Sequence, residues 1–220
     1  MTAGSHEFTT LDSELLFESP ILGLRRDRLT MPGGGVASRE VIEHFGATAV
    51  VAVDGRGRLA MVHQYRHSVG ARLWELPAGL LDMAGEDALV CARRELVEEA
   101  GLEADSWSLL LDLISSPGFC DEAVRVYLAT DLTAVERPAG EYEEADMGFE
   151  WVDLADARRS VLRGEIINSI AIAGIFAASE VLSGRGQARD AHADFPLRPT
   201  SLAQRRQRNG VVPDMKRLGR

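Results

Sequence analysis

Gly79-Leu80-Leu81-Asp82-Met83-Ala84-Gly85-Glu86-Asp87-Ala88-Leu89-Val90-Cys91-Ala92-Arg93-Arg94-Glu95-Leu96-Val97-Glu98-Glu99-Ala100-Gly101-Leu102 is the most informative stretch of this 220-residue chain. Ala88, Leu89, Ala92, Leu96 and Ala100 recur at helical spacing, so the stretch predicts a helix over 86–100, with Gly101 where a C-terminal cap belongs. Glu95 and Glu99 are four residues apart and share a helix face, and Glu98 stands beside them. Like charges so placed cost a few tenths of a kcal/mol per pair, and they lie in the half of the helix whose dipole disfavours anions. A bound divalent cation would remove that penalty, because hard cations prefer carboxylate oxygens. Arg94 is placed to orient one of the carboxylates. Taken alone, a solvated acidic face is the commoner reason for Glu-X-X-Glu-Glu.

The surroundings change that balance. Arg94-Glu95-Leu96-X-Glu98-Glu99-X-Gly101-Leu102, with Glu86 eight positions before Arg94, resembles the Nudix box: glycine, five residues, glutamate, seven residues, then Arg-Glu-apolar-X-Glu-Glu-X-Gly-apolar. Every specified position from Glu86 onward matches. Six residues, 80–85, stand between Gly79 and Glu86 where the pattern has five. The addition falls in the loop ahead of the helix, where extra length is cheap.

Similarity to the bacterial ADP-ribose pyrophosphatases of that family runs from about residue 39 to 178. It is carried by Gln64-Tyr65-Arg66, by Trp74-Glu75-Leu76-Pro77-Ala78-Gly79, and by Pro117, fifteen residues past Leu102. The resemblance implies an α/β (α+β) fold, an α/β/α sandwich with a mixed sheet, over residues 46–182. Residues 1–45 would form a small N-terminal β element. It implies a Mg²⁺ or Mn²⁺ cofactor held by Glu95, Glu98, Glu99 and the Ala78 carbonyl, with Glu86 pairing Arg94 to brace the helix. Arg94 and Glu98 then belong to the catalytic set. So does Glu144, with Glu143 in reserve, in the acidic run Glu141–Asp146, to position the attacking water. Arg66, Glu75, Gly79, Phe119 and Glu122 are the implied substrate contacts. Phe119 or Trp74 would pack on a base or ribose, and a core role for either is equally open.

The activity implied is cleavage of ADP-ribose to AMP and ribose 5-phosphate, by a homodimer with the N-terminal element in its interface. Another nucleoside diphosphate derivative, such as a nucleotide sugar, is the alternative substrate. A Nudix-like nucleotide sensor without catalysis is the alternative class, and the intact set Arg94, Glu95, Glu98 and Glu99 speaks against it.

Composition bounds the rest. The net charge is −10, with 34 acidic residues against 24 basic ones, a balance that repels nucleic acid and acidic membranes. Lys216 is the only lysine. Arg205-Arg206-Gln207-Arg208 is a basic cluster, and on so acidic a chain it is a poor nucleic-acid contact. No apolar run reaches the roughly 18–20 residues of a membrane helix, and the polar N-terminus does not resemble a secretory signal. Cys91 and Cys120 read as free thiols, which suits the cytoplasm.

Along the chain, 7–45 reads as short strands. Ala47–Val53 and Leu59–Tyr65 flank Asp54-Gly55-Arg56-Gly57, which predicts a hairpin over 47–65. Strands are expected at 107–114, 123–129 and Trp151-Val152, and helices at 153–163 and 166–182. From Ser183 apolar residues thin out, and 183–220 reads as a disordered or loosely docked tail. His44, His63 and His67 receive no role.

Overall fold

The computed structural model describes residues 4–139 and 146–217. The chain starts with an antiparallel sheet of β1 (Thr10–Glu18), β2 (Gly23–Thr30) and β3 (Val36–Glu43), in that order. Gly33 and Gly34, between β2 and β3, have φ of +83° and +87°, the left-handed region that costs glycine least.

Four strands follow: β4 (Ala47–Ala52), β5 (Arg58–Arg66), β6 (Ala71–Glu75) and β7 (Ala78–Leu80). After them come α1 (Ala88–Ala100), β8 (Leu102–Ile114), β9 (Ala123–Ala134), β10 (Gly148–Asp153), α2 (Leu154–Leu162), α3 (Ser169–Leu182) and α4 (Ser201–Arg208). The expected tight turn joins β4 to β5, with the Gly57 N–H donating to the Asp54 carbonyl. The hairpin expected over 47–65 does not form. Past the single bridge Val53–Leu59 the two strands part into different sheets. β4 enters the sheet β7-β4-β9-β8, antiparallel to β7 and parallel to β9, whereas β5 enters β10-β5-β6. All six residues of β4 are buried. A strand buried on both faces suits a parallel neighbour with helices on either side.

Strand alternation shows those two sides. Ala49, Val51, Val124, Val126 and Leu128 pack with Ile175 and Ala178 of α3. Val50, Ala52, Tyr127 and Ala129 pack with Leu89, Ala92 and Leu96 of α1. The result is the α/β/α layering with a mixed sheet. At Gly174 of α3 a Cβ would meet Leu76 Cδ1 at 2.7 Å and Val51 Cγ2 at 2.9 Å. The glycine therefore lets that helix lie close on the sheet. Among the described residues, no helix is long and apolar enough to cross a membrane.

Residues 183–217 pack on this body, which corrects the expectation of a loose tail over 183–220. Arg189 bridges to Leu109 of β8. Arg125, 3% exposed, pairs with Asp112 and donates to the carbonyls of Ala193 and Asp194. Its guanidinium lies 4.3 Å from the centroid of Phe195. α4 buries Leu202 and Arg206. Arg206 Nη1 sits 2.6 Å from Glu18 Oε1, and Arg205 pairs with Glu18 and Glu43. The cluster read as a weak nucleic-acid contact thus turns two arginines onto the N-terminal sheet. A few scattered anchors and ion pairs hold this segment, and such contacts leave no periodic pattern in a sequence.

Candidate functional site

The site grows from the junction of β7 and α1. Asp87 caps the helix, its carboxylate accepting from the Leu89 N–H at 2.8 Å, as N-cap aspartates do. Gly101 closes the helix with φ +63°, its N–H donating to the Leu96 and Val97 carbonyls. Between these caps the helix presents Glu95 and Glu99 to β7, with the half-exposed Glu98 beside them. Glu99 accepts from the Ala78 N–H at 2.8 Å. Glu95 lies directly over Gly79, where a Cβ would stand 2.0 Å from the Glu95 carboxyl carbon. Only a residue without a side chain at 79 admits that carboxylate.

Arg94 ties the cluster together. Its Nη1 lies 2.6 Å from Glu95 Oε1 and 2.9 Å from Glu98 Oε2. Its Nε and Nη2 donate to the two oxygens of Glu86 at 3.1 and 3.2 Å, the brace that the sequence suggested. Burial pushes the Glu95 carboxyl up to about 7 against the pull of Arg94, and the neighbouring charges of Glu98 and Asp82 add to the rise. Burial likewise pushes the Cys91 thiol up to about 12, which suits a packing role.

A buried carboxylate held against its own tendency to protonate is a donor that a divalent cation would favour. Glu95, Glu99, the half-exposed Glu98 and the adjacent Ala78 backbone form a set of hard oxygen donors whose chemistry fits a divalent cation. Among the described residues, no three acidic, histidine or cysteine side chains already stand as a ligand cage. Arg94 holds one oxygen of Glu95 and one of Glu98, so a cation would compete with it for those two atoms.

Beside this cluster opens a cavity of about 490 Å³, lined among others by Arg66, Glu75, Ala78, Gly79, Glu122 and His44. Arg66 forks onto Glu75, with Nε to Oε1 at 3.0 Å and Nη2 to Oε2 at 2.6 Å. Glu122 accepts from the Ser115 hydroxyl at 2.5 Å and lies 3.5 Å from His44 Nδ1. Four of the five expected substrate contacts therefore line one cavity. Phe119 does not join them. It lines a separate depression with Pro117, Asp27 and Arg39, and its carbonyl accepts from the Ile42 N–H at 2.7 Å. Trp74 stacks on His63 at 4.5 Å between centroids and packs on the core. Glu143 and Glu144 lie outside the described residues.

Sequence reasoning passed over His44, a lone histidine with no local signal. It also passed over Asn168, which caps α3 through its side chain and lines the same cavity. An asparagine just ahead of an apolar helical run was a readable capping signal.

Residues 43–170 match the model of the NUDIX domain, and residues 8–42 match that of the nucleoside diphosphate sugar hydrolase N-terminal domain. The chain is 56% identical over 201 residues to an ADP-ribose pyrophosphatase of Mycobacterium tuberculosis, covering 91% of this chain and 97% of that one. It is 37% identical over 150 residues to a methanol dehydrogenase activator of Bacillus methanolicus, covering 68% and 78% respectively. A crystal structure of an ADP compounds hydrolase superposes with a TM-score of 0.70 over 84% of this chain and all of that one. At 21% identity, that last likeness concerns the fold.

Proposed function

The chain belongs to the Nudix hydrolase family, and from that premise we propose that it cleaves ADP-ribose, with water, to AMP and ribose 5-phosphate. The observation that carries the substrate is the 56% identity to an ADP-ribose pyrophosphatase across nearly the whole of both chains. The reading is supported locally by the cavity beside Ala78 and Gly79, with Arg66 at its wall.

The chemical problem is attack by water on a phosphorus shielded by negative oxygens. A divalent ion supplies charge neutralisation and a water of lowered pKa. Glu95 and Glu99 would hold it, with Glu98 beside them and the Ala78 carbonyl completing the set. Arg94 keeps these carboxylates in register while Glu86 fixes Arg94. Arg66 offers the pyrophosphate a fork of donors, and Glu75 sets the plane of that fork. Glu144 is assigned to the water, with Glu143 in reserve.

The enzyme is proposed to act as a cytoplasmic homodimer of twice 23.9 kDa. β1 supports this, because Leu11, Leu15, Leu16 and Phe17 on it are exposed in the single chain. A small sheet of this kind needs something to pack against, and a two-fold axis is the commonest solution. Deleting residues 1–45 should abolish dimerisation and weaken ADP-ribose binding. Light scattering that gave a monomer at full specific activity would refute the assembly.

The substrate is tested by product analysis with one metal over ADP-ribose, UDP-glucose, NADH and dATP. ADP-ribose should show the highest kcat/KM. Preference for any of the other three would overturn the substrate and leave the hydrolase class standing.

A further inference from the structure

The segment after α4 returns along the loop that precedes α1. The Ala84 N–H donates to the Pro213 carbonyl at 2.8 Å and the Met215 N–H to the Asp82 carbonyl at 2.9 Å, with Met83 and Asp214 paired between them. Met215 is buried with Phe45 and Leu202, and Ala84 packs against that cluster. Arg198 Nη1 donates to the Glu86 carbonyl at 3.0 Å. The loop 80–85, one residue longer than the family pattern, is thus hydrogen-bonded to the C-terminal segment on both sides of Met83.

At the end of this strap stands the only lysine of the chain. Lys216 Nζ lies 2.5 Å from Asp82 Oδ2, a side chain only 4% exposed. Asp82 is close enough to Glu95 for their charges to act on each other, and Lys216 feels Glu95 as well. Asp82, two residues past the end of β7, and Glu95, midway along α1, are both buried carboxylates, and Lys216 pairs with the first of them. Leaving Asp82 buried without its cation would be costly, so its position, and that of the loop, depends on Lys216.

We propose that Lys216, through its ion pair with Asp82, is a positioning residue for the metal-binding carboxylates. The strap fixes the loop from Asp82 to Glu86, and the loop fixes Ala78–Leu80 against Glu95 and Glu99. This rests on the reading of Glu95 and Glu99 as metal ligands, and it gives a part in that site to a segment outside the matched domain.

Positioning and plain field effects have opposite signs here. If Lys216 acted only through its charge, removing it would make the region more negative and tighten a divalent cation. If it positions the ligands, removing it weakens the cation. The test is Mn²⁺ binding to the full chain without substrate, read by electron paramagnetic resonance of the free ion. Lys216→Met should bind Mn²⁺ about tenfold more weakly, the scale on which residues behind metal ligands act. Lys216→Arg, which keeps the ion pair, should recover most of the affinity. At saturating Mn²⁺, the KM for ADP-ribose should not move. Unchanged or tighter Mn²⁺ binding in Lys216→Met overturns the proposal, and Lys216→Gln serves if the methionine variant does not fold. A wild-type chain that bound no Mn²⁺ would overturn it together with the metal reading. A wrong substrate would show only in the product panel, since Mn²⁺ binding is measured without one.

Discussion

The Ala78 N–H donates to the Glu99 carboxylate at 2.8 Å, which fastens the last turn of α1 to the strand that leads into it. With Gly79 next in sequence and Glu95 one helical turn earlier, strand and helix approach so closely that a carboxylate fills the place of a missing side chain. Gly79→Ala should therefore damage the site more than the fold. The atoms in the way are the flexible end of Glu95, which can swing aside. We expect a melting temperature within a few degrees of wild type. The rate should fall about 100-fold, as when a reacting group is misplaced by about 1 Å. Thermal denaturation beside steady-state kinetics checks both, and an unimpaired rate would refute the close approach.

The carboxylate cluster sets the response to metal removal. EDTA should abolish hydrolysis, and Mg²⁺ or Mn²⁺ should restore it. Glu95→Gln and Glu99→Gln should each lower the rate by orders of magnitude. Without metal, the same variants should be more stable than wild type. Glu95→Gln removes a buried charge, and both variants relieve like-charge repulsion along the helix. Each kcal/mol gained raises the melting temperature by roughly 2–4 °C for a chain of this size. A metal-free melt in which both variants fell below wild type would contradict this account.

The joint between α4 and the N-terminal sheet should be acid-sensitive. Burial acts to raise the Glu43 carboxyl, but the hydrogen bonds and charges of Arg205 and Arg25 outweigh it and hold the group below its ordinary value. A carboxylate with a depressed folded pKa contributes its full stability above the unfolded value, about 4.3. That contribution is lost as pH falls through the lower folded value. Glu43→Gln should cost about 3 kcal/mol at pH 7, as when a buried pair loses a partner. It should also flatten the decline of stability below pH 4. Urea denaturation of both chains across pH 3–7 measures this, and parallel curves would exclude Glu43 as the source.

Removing residues 183–220 should be strongly destabilising. Arg125 would lose the Ala193 and Asp194 carbonyls and the Phe195 ring while staying buried beside Asp112. Glu18 and Glu43 would lose Arg205 and Arg206. An orphaned buried donor alone costs about 1–3 kcal/mol, and several are created at once. Equal melting temperatures for the full and shortened chains would show that the segment is not docked in solution.

The sequence by itself determined α1, its C-terminal cap and its acidic face, because helix periodicity and capping act within a turn or two and the Nudix pattern fixes residues at short range. It also marked most strands, since β4, β8 and β9 announce themselves as apolar runs. Strand partners were decided only by the tertiary structure. Ala47–Val53 and Leu59–Tyr65 read as a hairpin, but β4 is buried on both faces and gains more from β9 and two covering helices than from its neighbour in sequence. The C-terminal segment was likewise settled by contacts far apart in the chain: Arg206 with Glu18, Arg125 with Ala193, Lys216 with Asp82. Each joins single residues that carry no local pattern, and an ion pair or a lone anchoring side chain becomes visible only when folding brings its two ends together.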